Sequence, residues 1–206
     1  MNIEKRLISK NYSKGLTITP RFIVIHETDN TTVGANADAH FRYWDTNDKA
    51  NSSVHFVVDD TKVLQLLELN QKAWHVGDNN GYSSITNNNS IGVEICVNSD
   101  GNYANARQNA IELVKYLLNV TGLPADKVVR HNDASGKYCP RKMLDNPQLW
   151  IDFKNTIVEP ASNTDVPWYN DAQWYVKQTG ISDGTRPNDA VTRAEVWAML
   201  YRALKG

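Results

Sequence analysis

The sequence predicts an α/β fold in which a mixed central β-sheet is flanked by helices, followed by a small all-helical C-terminal domain. Three observations lead to this prediction. Apolar runs of strand length alternate with amphipathic stretches of helical length, the first apolar run is rich in β-branched residues, and a stretch containing Pro, Ser and Asn separates residues 168–206 from the rest.

Five apolar segments have the length and composition of β-strands: 21–26, 54–59, 63–69, 90–97 and 127–131. The first is a continuous β-branched run, as expected of a strand that is buried on both faces. The second and third flank a short polar stretch, 60–62, which predicts a hairpin. Strands of this kind, separated by helical segments, favour a layered α/β domain.

Two segments between these strands predict helices. Residues 34–44 open with small residues and then carry apolar side chains on one helical face. Residues 104–122 have a longer apolar stripe, formed by Ala110, Val114, Leu117 and Leu118. Gly122, with Pro124 just beyond it, predicts the end of this second helix.

The composition predicts three parts: a body at 1–157, a linker at 158–167 and a tail at 168–206. We expect two helices in the tail. Asn170 or Asp171 is a candidate cap for the first, which Gly180 would end. Residues 192–195, Thr-Arg-Ala-Glu, have the pattern of a capping box and precede the apolar run of the second.

Composition and charge exclude several classes of protein. Of the 206 residues, 41% are hydrophobic and 22% charged, which is typical of a globular chain and excludes a disordered or collagen-like one. The net charge of −1 argues against a nucleic-acid partner. No run approaches the roughly 18 apolar residues of a membrane span. The basic N-terminal residues lack an apolar run behind them, so we expect no secretory signal.

Histidines fall at the ends of two predicted strands, where sites collect in open α/β sheets. His26 ends the first strand and His131 ends the last, and Cys139 follows His131 by eight positions. His and Cys are good zinc ligands, and three protein ligands with one open position are the pattern of catalytic zinc. The alternative is that each is an isolated core or surface residue.

A carboxylate and a lysine accompany these three residues. Glu94 lies inside an apolar strand, which is costly unless the carboxylate is paired or neutral, and alternation places it on one face with Gly92 and Cys96. A desolvated Glu near a metal suits a general base, and a structural ion pair is the alternative. Lys137, two residues before Cys139, suits oxyanion stabilisation; the alternative is a solvated loop lysine.

Five segments, at 24–30, 52–60, 73–78, 89–96 and 130–140, carry a resemblance to a known family. In order, they read VIHETDN, SSVHFVVDD, AWHVGD, NSIGVEIC and RHNDASGKYCP. Together they resemble the type 2 N-acetylmuramoyl-L-alanine amidases, the zinc amidase family shared by phage lysins and peptidoglycan recognition proteins. The resemblance covers roughly residues 18 to 157.

The resemblance implies a role for each matched residue. His26, His131 and Cys139 would bind Zn²⁺, while Glu94 and Lys137 would be catalytic. His75, in the Trp-His-x-Gly turn, would line the substrate groove. One position departs from some relatives, which carry a reaction-assisting tyrosine where this chain has Val54.

The implied function is hydrolysis of the amide bond between N-acetylmuramic acid and L-alanine in bacterial peptidoglycan. With no signal predicted, we expect a phage endolysin that is made in the host cytoplasm and acts on the cell wall after release; a bacterial autolysin is the alternative. A second class of function is a non-catalytic peptidoglycan-binding module. A third is structural zinc in an unrelated enzyme, which would need a fourth ligand such as His55 or Asp133.

The tail resembles a single S-layer homology motif, a class that binds cell-wall polymers. Trp168 and Trp174 offer flat faces for sugar rings, and Arg193 would meet an anionic polymer at a helix start. Because the tail is too short for a large core, we expect it also to associate with copies from other chains. A small helical cap on the body is the alternative.

Overall fold

The computed structural model of the chain describes residues 2–79, 81–158, 176, 181–182 and 192–205. The chain separates into two compact units, residues 1–160 and 161–206. The first unit carries the β-sheet, and the described residues of the second include the helix Arg193–Lys205.

Eight short strands are present in the described part of the first unit: β1 (Ile3–Lys5), β2 (Ser13–Thr17), β3 (Phe22–Glu27), β4 (Phe56–Val58), β5 (Val63–Gln65), β6 (Gln71–Lys72), β7 (Ser90–Ile95) and β8 (Val128–Arg130). Six of them form one sheet in the order β1-β5-β4-β7-β3-β8. The β4–β5 pair is antiparallel and the other pairs are parallel. The predicted mixed sheet is therefore confirmed, and β2 and β6 pair separately as a small antiparallel ribbon.

Helices lie between the strands and after them: α1 (Ala37–Thr46), α2 (Tyr103–Thr121), α3 (His131–Ser135), α4 (Arg141–Asp145) and α5 (Pro147–Val158). A short 3₁₀ turn, Ala125–Lys127, precedes β8. In the second unit α6 spans Arg193–Lys205. None of the helices in the described ranges is both long enough and apolar enough to cross a membrane.

The sheet separates two apolar layers. On one side, alternate residues of β3 and β7, such as Ile25 and Val93, pack with α2 and α5. On the other side, Val57 and Leu64 pack with Trp44 of α1. Cys96 is buried in this second layer. It was predicted to be a small buried residue on the face opposite Val93, and the structure agrees.

Local sequence explains where the predicted elements begin and end. The Asn102 side chain accepts a hydrogen bond from the backbone N–H of Asn105 and caps α2. Gly122, at φ 67°, ends that helix in the left-handed conformation, as predicted. In the predicted hairpin, the Asp59 carboxylate accepts from the backbone N–H groups of Thr61 and Lys62, both at 2.7 Å, and closes the turn between β4 and β5.

Two predicted strands are shorter in the structure. In the apolar segment 63–69 the strand ends at Gln65. Leu66 and Leu67, which follow it, are fully buried in the core, and this burial explains why the apolar run continues past the strand. The segment 127–131 is a strand only at Val128–Arg130. His131 begins α3 instead of ending the strand, because Asp133 accepts from the Arg130 N–H at 2.8 Å and starts the helix there.

The remaining differences concern elements that the sequence did not reveal. Strands β1, β2 and β6 have five residues or fewer, too short for a visible alternation. Helices α4 and α5 were also not predicted. Because α5 runs through Val158, the first residue of the predicted linker is helical, and the rest of that linker lies outside the described residues.

The second predicted tail helix is present as α6. Its predicted capping box is confirmed, since Thr192 N–H donates to the Glu195 carboxylate at 2.8 Å and Glu195 N–H donates to Thr192 Oγ1 at 3.2 Å. Of the first predicted tail helix, the structure describes only Val176, which is helical. Its predicted caps, Asn170 or Asp171 and Gly180, lie outside the described residues.

The structure predicts that α5 stabilises the first unit through Phe153, which is fully buried and stacks on Trp150 with ring centroids 5.6 Å apart. We expect Phe153→Ala to lower the free energy of unfolding by about 3–5 kcal/mol, because it leaves a cavity in the core. Ile151→Ala, at an exposed position of the same helix, is the control and should change it by about 0.5 kcal/mol or less. Chemical denaturation followed by circular dichroism measures both, and equal losses would contradict this role for α5.

Candidate metal centre and active site

The parallel pairing of β3 with β8 brings two histidines together. Ile25 lies opposite Arg130 in the register, so the next residues, His26 and His131, emerge side by side at the same end of the sheet. Their ring centroids are 4.5 Å apart and both side chains are buried. The predicted proximity of these residues follows from the register alone.

The loop after α3 returns Cys139 to the same place. Gly136, at φ 76°, ends α3 and reverses the chain. The Asn132 side chain donates to the carbonyls of Gly136 and Lys137, and its backbone N–H donates to the Cys139 carbonyl at 2.8 Å. Glu27 N–H in turn donates to Cys139 Sγ at 3.5 Å. These contacts tie the loop both to α3 and to the end of β3.

His26, His131 and Cys139, the candidate metal-binding group, have their ligand atoms within 4.8 Å of one another. They are the only group of this kind within the described ranges that could hold a metal ion. Burial and the nearby His131, His75 and Lys137 hold the pKa of His26 well below its usual value. Burial and then Lys137 lower the pKa of His131 to about 4. Both rings are therefore neutral at pH 7, which is the form that binds metal.

The cysteine behaves differently from the histidines. Burial, and then the charge of Glu94, raises the pKa of Cys139 to about 12. Its sulfur is therefore a thiol in the metal-free protein, and binding a cation there would release its proton. The three clustered side chains are therefore uncharged in the metal-free protein, and Cys139 becomes a thiolate only together with a bound positive ion.

Two further observations fit a three-ligand metal site. His131 Nδ1 is buried and has no hydrogen-bond partner, which is unfavourable unless something else takes its lone pair. The two candidates for a fourth ligand are engaged elsewhere. His55 Nε2 lies 2.8 Å from the Gln71 carbonyl and its Nδ1 accepts from Gly92 N–H, while both oxygens of Asp133 bind Arg130. Two His and one Cys with an open position suit a catalytic ion.

Glu94 lies next to this group. In the parallel β3–β7 pair it is the register partner of His26, and alternation turns both toward the same side of the sheet. Burial raises the pKa of Glu94 to about 7, although the charge of Lys137 opposes the shift. A carboxyl group with such a pKa can both accept and release a proton near neutral pH.

Lys137 is exposed and lines the same cavity as Glu94 and the three clustered residues. Its charge lowers the pKa of Glu94, His26 and His131, which shows that its ammonium group acts electrostatically on the whole cluster. A cation in this position can stabilise negative charge that develops in the cavity.

The cavity has a volume of about 380 Å³ and is also lined by aromatic side chains that were not predicted as site residues: Tyr43, Trp44, Trp74 and Tyr138. Tyr43 and Tyr138 are about half exposed and offer flat faces of the kind that pack on sugar rings. Val54 also lines the cavity, in the position where some relatives carry the assisting tyrosine, and it has no hydroxyl to offer.

Glu27 is a site residue that the sequence analysis missed. Its buried carboxylate accepts hydrogen bonds from the Tyr103 hydroxyl of α2 and, at 2.7 Å, from the backbone N–H of Lys142 in α4. It therefore joins the end of β3 to the segment that follows Cys139. Like Glu94, Glu27 is a carboxylate in a buried apolar strand, and this feature of the sequence marks both residues.

The other predicted binding residues are placed as follows. His75 lines the cavity, and its Nδ1 lies 3.0 Å from His26 Nε2; its role in a substrate groove stays a prediction. Arg193 is exposed at the first position of α6. Trp168 and Trp174 lie outside the described residues.

Comparisons with known sequences identify the family. The profile of the N-acetylmuramoyl-L-alanine amidase family matches residues 16–142. The N-acetylmuramoyl-L-alanine amidase XlyA of Bacillus subtilis strain 168 is 45% identical over 157 residues, which cover 76% of this chain and 50% of XlyA. CwlH, an amidase of the same strain, is 36% identical over 180 residues, which cover 87% of this chain and 68% of CwlH. The chain thus spans half the length of XlyA.

Solved structures agree with these sequence matches. The catalytic domain of XlyA matches with a TM-score of 0.68 at 43% identity, over 76% of this chain and 99% of that domain. The structure of PlyL also gives a TM-score of 0.68, at 33% identity, over 77% of this chain and 98% of PlyL. Profile, relatives and fold lead to the same result: the chain belongs to the N-acetylmuramoyl-L-alanine amidase family.

Proposed function

We propose that the chain is a zinc-dependent amidase that cleaves the bond between N-acetylmuramic acid and the L-alanine of the stem peptide in bacterial peptidoglycan. The observation that carries this proposal is the buried group of His26, His131 and Cys139, with Glu94 opposite His26 in the sheet. The names of XlyA and CwlH, and a match across nearly the whole catalytic domain of XlyA, support the same activity.

His26, His131 and Cys139 would hold the zinc ion. Two neutral imidazoles and one thiolate are preferred zinc donors, and the orphaned Nδ1 of His131 supplies a lone pair that nothing else in the described part of the chain takes. Bound there, zinc supplies Lewis-acid chemistry that polarises an amide carbonyl and activates water.

Glu94 is the proposed general base and then general acid. Its carboxylate accepts the proton of the attacking water and passes it to the nitrogen of the leaving alanine. The pKa of about 7, which results mainly from burial, suits both directions of transfer near neutral pH. Because Val54 replaces the tyrosine of some relatives, no hydroxyl at that position shares this work.

Lys137 is the proposed electrostatic stabiliser. Lys137 is exposed and lines the cavity, and its positive charge would oppose the negative charge that grows on the carbonyl oxygen as water attacks it. The rim tyrosines, Tyr43 and Tyr138, provide surfaces on which the glycan or the peptide of the substrate can lie.

A binding module without catalysis is the competing proposal, and the site chemistry disfavours it. A recognition site has no need of a half-buried carboxylate, Glu94, beside a metal-binding group. A structural zinc site is also disfavoured, because the described residues His55 and Asp133 hold other partners and cannot complete the coordination. An endolysin that acts on the wall after release is the biological role we propose, with a bacterial autolysin as the alternative.

For the tail we propose attachment to a cell-wall polymer through a single S-layer homology motif, together with association between tails. The exposed Arg193 at the start of α6 supports an anionic partner, since a guanidinium and a helix N-terminus both favour negative groups. Trp168 and Trp174 are the proposed sugar-stacking residues.

The metal site predicts that Cys139→Ser lowers zinc content and lytic activity together, because a neutral hydroxyl is a much poorer ligand than a thiolate. Cys96→Ser is the matched control, since Cys96 is equally buried but packs in the second apolar layer. Elemental analysis of the purified proteins and clearing of a cell-wall suspension measure the two effects. Full zinc and full activity in Cys139→Ser would show that the site is wrongly assigned.

The role of Glu94 predicts that Glu94→Gln retains the fold and the zinc but loses about 10²–10⁴ in turnover, the range of general acid–base catalysis. The measurement is the release of new N-terminal alanine from purified walls. Near-normal kinetics would leave Glu94 with a structural role only. New reducing sugar ends in place of alanine, from the unmodified protein, would mean a glycosidase and exclude the amidase.

The proposed tail function predicts the effect of truncation after Val158, the last residue of α5. The shortened chain should hydrolyse a soluble muropeptide normally, bind purified walls less and lose self-association. Pull-down on walls and mass in solution measure the last two properties. Unchanged wall binding and mass would remove both tail roles, whereas lost muropeptide hydrolysis with an intact fold would show that the tail completes the active site.

A further inference from the structure

The ring of His75 lies against β7 at Gly92 and beside His26 of the metal-binding group. Its Nδ1 lies 3.0 Å from His26 Nε2, and its Nε2 lies 3.2 Å from Ser90 Oγ and 3.4 Å from the Ser90 carbonyl. Ser90 Oγ in turn donates to the Thr86 carbonyl at 2.6 Å. Four residues from three segments thus form one continuous row of hydrogen bonds that starts at His26.

The Thr86 carbonyl, the last group in this row, determines which atom is the donor in every hydrogen bond of the row. The Thr86 carbonyl can only accept, so the single hydroxyl proton of Ser90 is used there. Ser90 Oγ and the Ser90 carbonyl must then accept from His75, which places the proton of His75 on Nε2. His75 Nδ1 is therefore an acceptor, and His26 Nε2 is the donor to it. In neutral His26 this leaves Nδ1 unprotonated.

Packing holds the His75 ring in the position that this row requires. The ring lies directly on Gly92 of β7, where a Cβ would come within 2.9 Å of its atoms. Gly92 lies two residues beyond Ser90, on the same face of the strand as Glu94, and is the register partner of Val24. Any larger residue there would displace the ring from His26, so the glycine is matched to the histidine.

We infer that His75 is a positioning residue, which holds His26 as the Nε2–H tautomer with Nδ1 free to bind the metal ion. Ser90, through its hydroxyl and carbonyl, orients His75. This inference rests on the proposed metal site. It gives His75 a function within the protein, in addition to any contact with substrate, because a ligand ring already held in the binding tautomer loses less freedom on binding.

The experiment compares two nearly isosteric variants of His75. His75→Asn keeps an acceptor, its Oδ1, where the ring has Nδ1, whereas His75→Leu has the same shape and no acceptor. We expect the zinc dissociation constant to rise about 10–100-fold in the Leu variant. In the Asn variant it should rise much less, because most of the zinc affinity is retained. His40→Asn, at another histidine that lines the cavity, is the control, and its zinc affinity should stay within about twofold of the unmodified protein. Competition with a chelator of known affinity measures all four proteins without reference to activity.

A second measurement needs no variant and no metal. In the zinc-free protein at pH 7, two-bond ¹⁵N–¹H spectra of the histidine rings should show both His26 and His75 as Nε2–H tautomers. His26 protonated at Nδ1, or equal zinc affinity in the Leu and Asn variants, would overturn the positioning role. Failure of the unmodified protein to bind zinc at all would overturn the proposed metal site, on which this inference rests. Zinc binding with equal affinities in the Leu and Asn variants would overturn the positioning role alone.

Discussion

The site depends on the parallel register between three strands of the central sheet. With β3 between β7 and β8, His26 lies beside Glu94 on one neighbour and beside the residue that follows the other neighbour, His131. Hydrogen-bonded strands lie about 4.8 Å apart, so residues in register are within reach of one small ion or one water molecule. A slip of one residue in either pair would turn the side chains to opposite faces and separate them.

Burial of these polar groups makes them chemically useful. Desolvation keeps the histidines neutral and raises the pKa of Glu94 to about 7, while the exposed Lys137 that lines the cavity is the compensating positive charge. Each group left without a partner in this environment is unfavourable, and such a group is found at His131 Nδ1, where a ligand to an ion is expected. The chain tolerates this local penalty because the apolar layers on both sides of the sheet stabilise the rest of the unit.

The residues around the metal-binding group hold it from several directions. Glu27 joins the end of β3 to α2 and α4, Asn132 fixes the loop that carries Cys139, and His75 contacts the outer nitrogen of His26. Glu27 and His75 make these contacts with residues far away in the sequence, whereas Asn132 makes its contacts within its own loop. A preorganised site of this kind reduces what must be ordered when an ion or a substrate binds.

The sequence by itself determined the elements with a strong local signal and the residues whose chemistry is unusual for their position. The capped helix α2, the β4–β5 hairpin and the buried β3 and β7 follow from local pattern, and His26, Glu94, His131 and Cys139 stand out as polar groups at strand ends, in an apolar strand or in a following loop. Only the tertiary structure decided that α5 packs in the core, that Glu27 holds the Cys139 segment and that His75 orients His26. The reason is physical: these roles depend on contacts between residues 49 to 115 positions apart, which no local periodicity encodes.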